Sequence, residues 1–253
     1  MAKYVLNSIS SVPLVPPCAR LQHNQIRNQT IESGNRLRVG LIALNWEVNT
    51  SLALWSLELF AKKSELISQH VDFFQFCEPT PKSYSEEELL LFQILEWIKE
   101  SGCHILGFSV YLWNVHFMNR VAKAVLELMP DVIIIYGGQQ IRGAYIAHLF
   151  EREQCVDICV QDEGEIAFRD LLLNFLGGEP EFHSIGGLHY RDRFGTIHST
   201  GPAKIVEDLN TLPSPYLGEI KLPYGGAYLF EASRGCPYKC GYCIWAESDG
   251  VRE

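Results

Sequence analysis

Between residues 38 and 175 the chain alternates short, largely apolar runs with longer stretches whose apolar positions recur every three or four residues. The runs at 38–44, 71–76, 105–110, 132–136 and 157–160 have the length of strands; the first, Arg-Val-Gly-Leu-Ile-Ala-Leu, is of the kind that is buried on both faces. The stretches at 52–62, 86–99, 115–128, 144–151 and 166–175 have helical spacing. Ser85-x-x-Glu88 fits a capping box at the start of the second helix, and Gly177-Gly178 fits a stop after the last. Parallel neighbours need crossover connections, so five strands with intervening helices predict an α/β fold with a doubly wound, five-stranded parallel sheet. Ligands of such sheets lie beyond the carboxyl ends of the strands.

Candidate chemistry is therefore sought in four segments, 45–50, 109–114, 137–142 and 161–165. Gly137-Gly138, directly after a buried strand, either makes a tight turn or lets the backbone approach a bulky ligand. No G-x-G-x-x-G follows the first strand, which argues against a dinucleotide site of the usual kind. Asp162, Glu163 and Glu165 open a helix, where its dipole favours acidic groups without any catalytic role, although a strand-end position also permits contact with a cofactor. His104, His116 and His148 fall within predicted strands or helices and read as packing or surface residues.

Outside the alternation the character changes. Residues 1–34 mix Ser, Pro, Asn and Gln with little periodicity and read as an arm. Residues 188–191 and 196–199, joined by Asp192-Arg-Phe-Gly195, predict a hairpin, and a Pro-punctuated linker, 212–223, leads on to the last segment. The expected organisation is an arm (1–34), a sheet domain (35–180), a hairpin and linker (181–225) and the start of another domain (226–253).

With 30 acidic and 21 basic residues the net charge is −9, so no basic stripe is offered to nucleic acid. The apolar runs are too short to cross a bilayer and the amino terminus lacks the order of a signal peptide, which predicts a cytoplasmic protein. Of the eight cysteines, Cys77, Cys103, Cys155 and Cys159 show no disulfide framework and read as buried thiols.

Cys236, Cys240 and Cys243 differ. Their C-x3-C-x2-C spacing on one loop can aim three thiolates at one point, as proteins do to hold iron–sulfur clusters, and a cubane with three protein ligands keeps one iron open. A zinc knuckle would need a fourth ligand, and none of the ten residues after Cys243 is Cys or His; structural thiols are the other reading. With Tyr242 before the third cysteine, the stretch resembles the radical S-adenosylmethionine (SAM) enzymes. That resemblance implies a [4Fe-4S] cluster on the three cysteines, SAM on the open iron, Tyr242 beside the adenine, and a flavodoxin or ferredoxin as reductant.

The preceding part, including Gly107-Phe-Ser109, Trp113-Asn114, Tyr136-Gly137-Gly138, Gly164-Glu165 and Leu212-Pro-Ser-Pro-Tyr216, is similar to the cobalamin-binding (B12-binding, Rossmann-like) domain of the B12-dependent radical SAM class. The resemblance implies that Ser109, Gly137 and Gly138 line the pocket for the nucleotide tail of cobalamin. It implies methyltransferase-like or tetrapyrrole-cyclase-like chemistry on an unknown substrate. The segment after the first strand, Asn45-Trp-Glu-Val-Asn-Thr50, has no histidine for cobalt; Trp46 is left to cover the lower face or to anchor the loop by packing. The chain is expected to hold only the truncated start of a radical SAM (β/α) barrel and not to complete a catalytic cycle alone, so that a partner chain would supply the barrel. The alternative is a stand-alone corrinoid-binding module with a vestigial cysteine loop.

Overall fold

Along strand β1 (Leu37–Asn45) the side chains of Leu37, Val39, Leu41 and Ala43 join one apolar core and those of Ile42 and Leu44 the other. Strand alternation thus builds two cores, one on each side of a sheet. A computed structural model describes residues 35–46, 48, 50–177, 182–192, 194–217, 229–243 and 250–252. The predicted arm 1–34, Gly178 of the predicted helix stop and residues 218–223 of the predicted linker lie outside the described residues.

After β1 come helices α1 (Leu52–Lys62) and α2 (Glu65–His70), strand β2 (Val71–Pro79), α3 (Tyr84–Ser101), β3 (Ile105–Ser109), α4 (Val115–Leu128), β4 (Ile133–Gly137), α5 (Gly143–His148) running into a π-helical turn (Leu149–Glu153), β5 (Ile158–Val160) and α6 (Gly164–Gly177). β6 (Leu188–Arg191) and β7 (Ile197–Ser199) follow, then β8 (Arg234–Cys236) and β9 (Gly250–Arg252). The main sheet runs β2-β1-β3-β4-β5-β6-β7. Its first five strands are parallel, and the order reverses between β1 and β3.

The sheet has seven strands rather than the expected five. The predicted hairpin β6–β7 does not stand apart but pairs antiparallel with β5, from Ile158↔Tyr190 to Val160↔Leu188. β5 is three residues long, and without the hairpin its open edge would leave backbone groups unpaired. α3 and α4 cover Ile42, Leu106, Phe108, Ile134 and Tyr136; α1, α2 and α6 cover Leu41, Ile105, Ile133, Ile135 and Val160. Each such side chain, fully buried, contributes about 1.5–3 kcal/mol.

Local signals explain the element ends. Ser51 caps α1 by accepting from the Leu54 amide. The capping box of α3 lies two residues earlier than expected: Ser83 Oγ accepts from Glu86 N at 3.3 Å, and Glu86 accepts from Lys82 N at 2.8 Å. Both Ser-x-x-Glu pairs are present, and the earlier one wins because the helix starts at Tyr84. Among the described residues no helix is long and apolar enough to cross a membrane.

Candidate functional site

At the carboxyl end of the sheet a cavity opens on the α1/α6 side, lined in part by two glycines. Odd-numbered residues of β3 and β4 face that side, and two of them, Gly107 and Gly137, are glycines. The register sets Gly107 between Leu41 and Ile135, and Ser109 beside Gly137. α1 and α6 rest on the sheet through larger side chains and leave an unfilled space of about 620 Å³, walled by Leu52, Leu57, Ile135, Val160 and Phe168. That size suits a bulky small molecule, and the lining mixes an apolar majority with a few polar groups.

The two glycines after β4 have different reasons to be glycine. A Cβ on Gly137 would meet only the Val160 carbonyl, at 3.9 Å, so this residue leaves free space towards the cavity. Gly138 has φ +102°, and a Cβ there would lie 2.6 Å from the carbonyl oxygen and 2.8 Å from the nitrogen of Val110. The chain is held against Val110 by Val110 N donating to Gly137 O at 2.7 Å and Gln140 N donating to Val110 O at 3.2 Å. Gly138→Ala is expected to destabilise the fold by about 3 kcal/mol through left-handed strain and overpacking, measured as a lowered midpoint in urea unfolding.

Ser109 is 8% exposed and hydrogen-bonds the Tyr111 side chain. Burial raises the Tyr111 phenol, this bond opposes the rise, and the Glu231 charge adds to it. Tyr111 stacks on Trp113 with ring centroids 4.5 Å apart. Trp113 Nε1 and Asn114 Nδ2 both donate to Leu44 O, at 3.2 and 3.0 Å, while Asn114 Nδ2 also donates to Ser109 O at 3.1 Å. The loop after β3 is therefore strapped to the end of β1, at the point where strand order reverses. Trp46 is 67% exposed, so packing of this side chain does not anchor the loop after β1.

The acidic trio does more than open a helix. Asp162, itself at φ +64°, pairs with Arg142 at 3.2 Å. Glu165 accepts from Arg234 at 2.6 Å; Glu163 accepts from Arg234 at 3.3 Å, from Arg252 and from the Val206 amide. Arg234 also pairs with Glu231 at 2.9 Å, and Arg252 donates to Val206 O at 2.6 Å. Burial opposes the charge on Arg234, yet its bonds and proximity to Glu165 and Glu231 hold it above its ordinary value. The pairs of Glu163 and Glu165 with Arg234 and Arg252 join partners 69 to 89 residues apart, which no local spacing foretells.

Burial pushes the Glu163 carboxyl up, but the Arg252 bond, the Val206 amide and the two guanidinium charges outweigh it, so it sits below the ordinary 4.5. A folded pKa below the unfolded one means that this pairing stabilises β8–β9 in full above pH 4.5, and the stabilisation is lost as pH falls through the lower folded value. Protection of the hairpin amides, corrected for intrinsic rates, is expected to fall as the pH is lowered below 4.5, as measured by NMR exchange.

The cysteine motif continues from this hairpin. β8 ends at Cys236 and pairs antiparallel with β9, and Cys243 N donates to Cys240 O at 3.0 Å in the turn that follows. All three cysteines are partly exposed and Tyr242 is 94% exposed. The three thiols have the donor chemistry of a cluster site, but among the described residues no group of three His, Cys, Asp or Glu is gathered as a metal site. Leu229 and Phe230, which precede the cysteines, are not in a strand, and the described part of 226–253 holds the β8–β9 pair rather than a barrel strand. Ser109, Gly137 and Gly138 are thus brought to one cavity, while Tyr242 and the cysteines lie outside its lining. Gly107 was quoted in the sequence as part of a motif only; its signal as a lining residue is a glycine on the same sheet face as Gly137 in the adjacent strand. His104 accepts from the Arg38 amide at 3.0 Å and His148 pairs with Glu153, both structural roles.

A model of the B12 binding domain matches residues 79–172. Over 157 residues the chain is 34% identical to the cobalamin-dependent radical SAM methyltransferase TokK of Streptomyces tokunonensis, a match covering 57% of this chain and 22% of that protein. Over 137 residues it is 32% identical to the anaerobic magnesium-protoporphyrin IX monomethyl ester cyclase of Synechocystis sp. (strain ATCC 27184 / PCC 6803 / Kazusa), covering 50% of this chain and 27% of that protein. The fold is shared with the cobalamin-dependent S-adenosylmethionine radical enzyme OxsB, with a TM-score of 0.61 at 24% identity over 84% of this chain and 29% of that one. The chain thus spans less than a third of the length of each of these proteins.

Proposed function

We propose that the chain belongs to the B12-binding-domain-containing, cobalamin-dependent radical SAM proteins, as its B12 binding domain and its likeness to a radical SAM methyltransferase support, and that its strand-end cavity takes the nucleotide tail of cobalamin. Ser109, Gly137 and Gly138 line the site, and Cys236, Cys240 and Cys243 hold a [4Fe-4S] cluster with SAM, Tyr242 lying against the adenine. The observation that carries the corrinoid reading is the cavity beneath Gly107 and Gly137. Its apolar walls fit the flat aromatic base of the tail, and Ser109, Gln139 and Arg142 offer polar partners to the sugar and phosphate. The glycines are what let a ring lie flat against the sheet. No histidine is among the described lining residues, in keeping with the histidine-free segment after β1.

When bound, the cluster and SAM supply radical hydrogen abstraction and the corrinoid supplies methyl transfer. This chain's own part is to bind and orient them. Methyltransferase-like and cyclase-like reactions, a cytoplasmic location, a flavodoxin or ferredoxin reductant, and a barrel supplied by further sequence or by a partner chain all belong to this proposal, as does a division at residues 34, 180 and 225. A second reading is a corrinoid-binding module whose cysteine loop stays empty. Anaerobic reconstitution with iron, sulfide and hydroxocobalamin, followed by metal analysis and electron paramagnetic resonance with and without SAM, separates the two. Cobalt with about four irons per chain and a SAM-shifted signal supports the radical SAM reading. Cobalt without iron supports the module, and neither metal contradicts both.

A further inference from the structure

Arg234 and Gly235 immediately precede Cys236, and both form part of the wall of the cavity floored by Gly107 and Gly137. Arg252, on the paired strand, lines it as well. The base of the cysteine segment is therefore one side of the pocket. What holds it there is a pair of carboxylates at the start of α6, Glu165 in its first turn and Glu163 just before it: Glu165 takes Arg234, and Glu163 takes both Arg234 and Arg252, bridging the two strands of the hairpin. The side chains of Glu165 and Arg234 are only 7% and 12% exposed. Charges so placed are weakly screened, and removing one partner leaves the other buried and uncompensated.

We propose that Glu163 and Glu165 are positioning residues that seat the cysteine segment against the corrinoid cavity, so that filling the cavity and ordering residues 229–243 are coupled. The inference rests on the assignment of the cavity to the corrinoid. A ligand in the cavity meets its full wall only when the hairpin is seated, so it binds the seated form more tightly. Linkage makes the effect reciprocal: seating raises affinity by the factor by which the ligand favours seating.

The test is hydrogen–deuterium exchange by mass spectrometry on the full chain, with and without hydroxocobalamin, alongside its binding affinity. In the wild type, hydroxocobalamin is expected to slow exchange in 229–243 about tenfold. In E163Q/E165Q the ligand-free segment exchanges faster, the ligand-induced slowing is lost, and hydroxocobalamin binds about five- to tenfold more weakly. The ratio with and without ligand is decisive, because a merely structural role shifts both states alike and leaves it unchanged. R252A, which leaves α6 intact, should move all three readings in the same direction by less, and it stands in if the double variant does not fold. Binding to the wild type with no slowing in 229–243, or an unchanged ratio and affinity in the variants, overturns the coupling alone. No binding to the wild type overturns the corrinoid reading itself and the coupling with it.

Discussion

Gly137→Leu is expected to weaken hydroxocobalamin binding by at least about 100-fold, close to 3 kcal/mol, without unfolding the protein. The backbone at this residue needs no left-handed conformation, and a Cβ meets nothing closer than 3.9 Å, so the added side chain has room in the folded state. The room it takes is on the cavity floor between Ser109 and Val160, where the proposed tail would lie. Absorbance titration with hydroxocobalamin and a thermal melt decide it together, the melting temperature being expected to move by no more than about 4 °C. Unchanged affinity would remove the cavity from the corrinoid site. A large drop in melting temperature would make Gly137 a packing residue. The neighbouring Gly138 is the control, since its substitution strikes the Val110 backbone and lowers stability first.

The second large effect is expected at Cys240. Cys240→Ala removes one of three proposed cluster ligands, and bound iron after reconstitution should drop from about four per chain to below about one, with loss of the SAM-dependent paramagnetic signal. Corrinoid binding should survive, because Cys240 lies outside the cavity lining. Loss of cobalt along with iron would contradict two separate sites. Unchanged iron would mean that the metal sits elsewhere.

The elements that could be read from the sequence are those whose signal is local and repeated. α1 and α4 begin and end where their apolar periodicity does, at 52–62 and 115–128. The central strands β1, β3 and β4 were legible as apolar runs because both of their faces are covered. α2 was not, since one buried residue, Ile67, gives it no period to detect. The place of the β6–β7 hairpin was hidden too: its turn chemistry is local, but which edge it joins depends on β5 being short and open. At the site, Gly137-Gly138 stood out as a motif, yet the separate duties of the two glycines emerge only from what surrounds each Cβ position. The Glu163, Glu165, Arg234 and Arg252 network was illegible because its charges are distributed over three segments that only the folded chain brings together.

The remaining described thiols turn out to be useful for what they do not do. Burial pushes Cys155 up to about 12, and Cys77 reaches about 12 by burial with the Glu78 charge beside it; burial raises Cys103 and Cys159 as well. Only the thiolate attacks an alkylating reagent, and a thiol with a pKa near 12 has under roughly one molecule in ten thousand in that form near neutral pH. Cys77 is partly exposed rather than buried as expected, while Cys103, Cys155 and Cys159 are buried, and all four are expected to alkylate slowly in the native state. A brief iodoacetamide pulse followed by peptide mapping should therefore label Cys236, Cys240 and Cys243 against an internal blank. The fall in their labelling when iron and sulfide are supplied would then count occupied ligands one residue at a time.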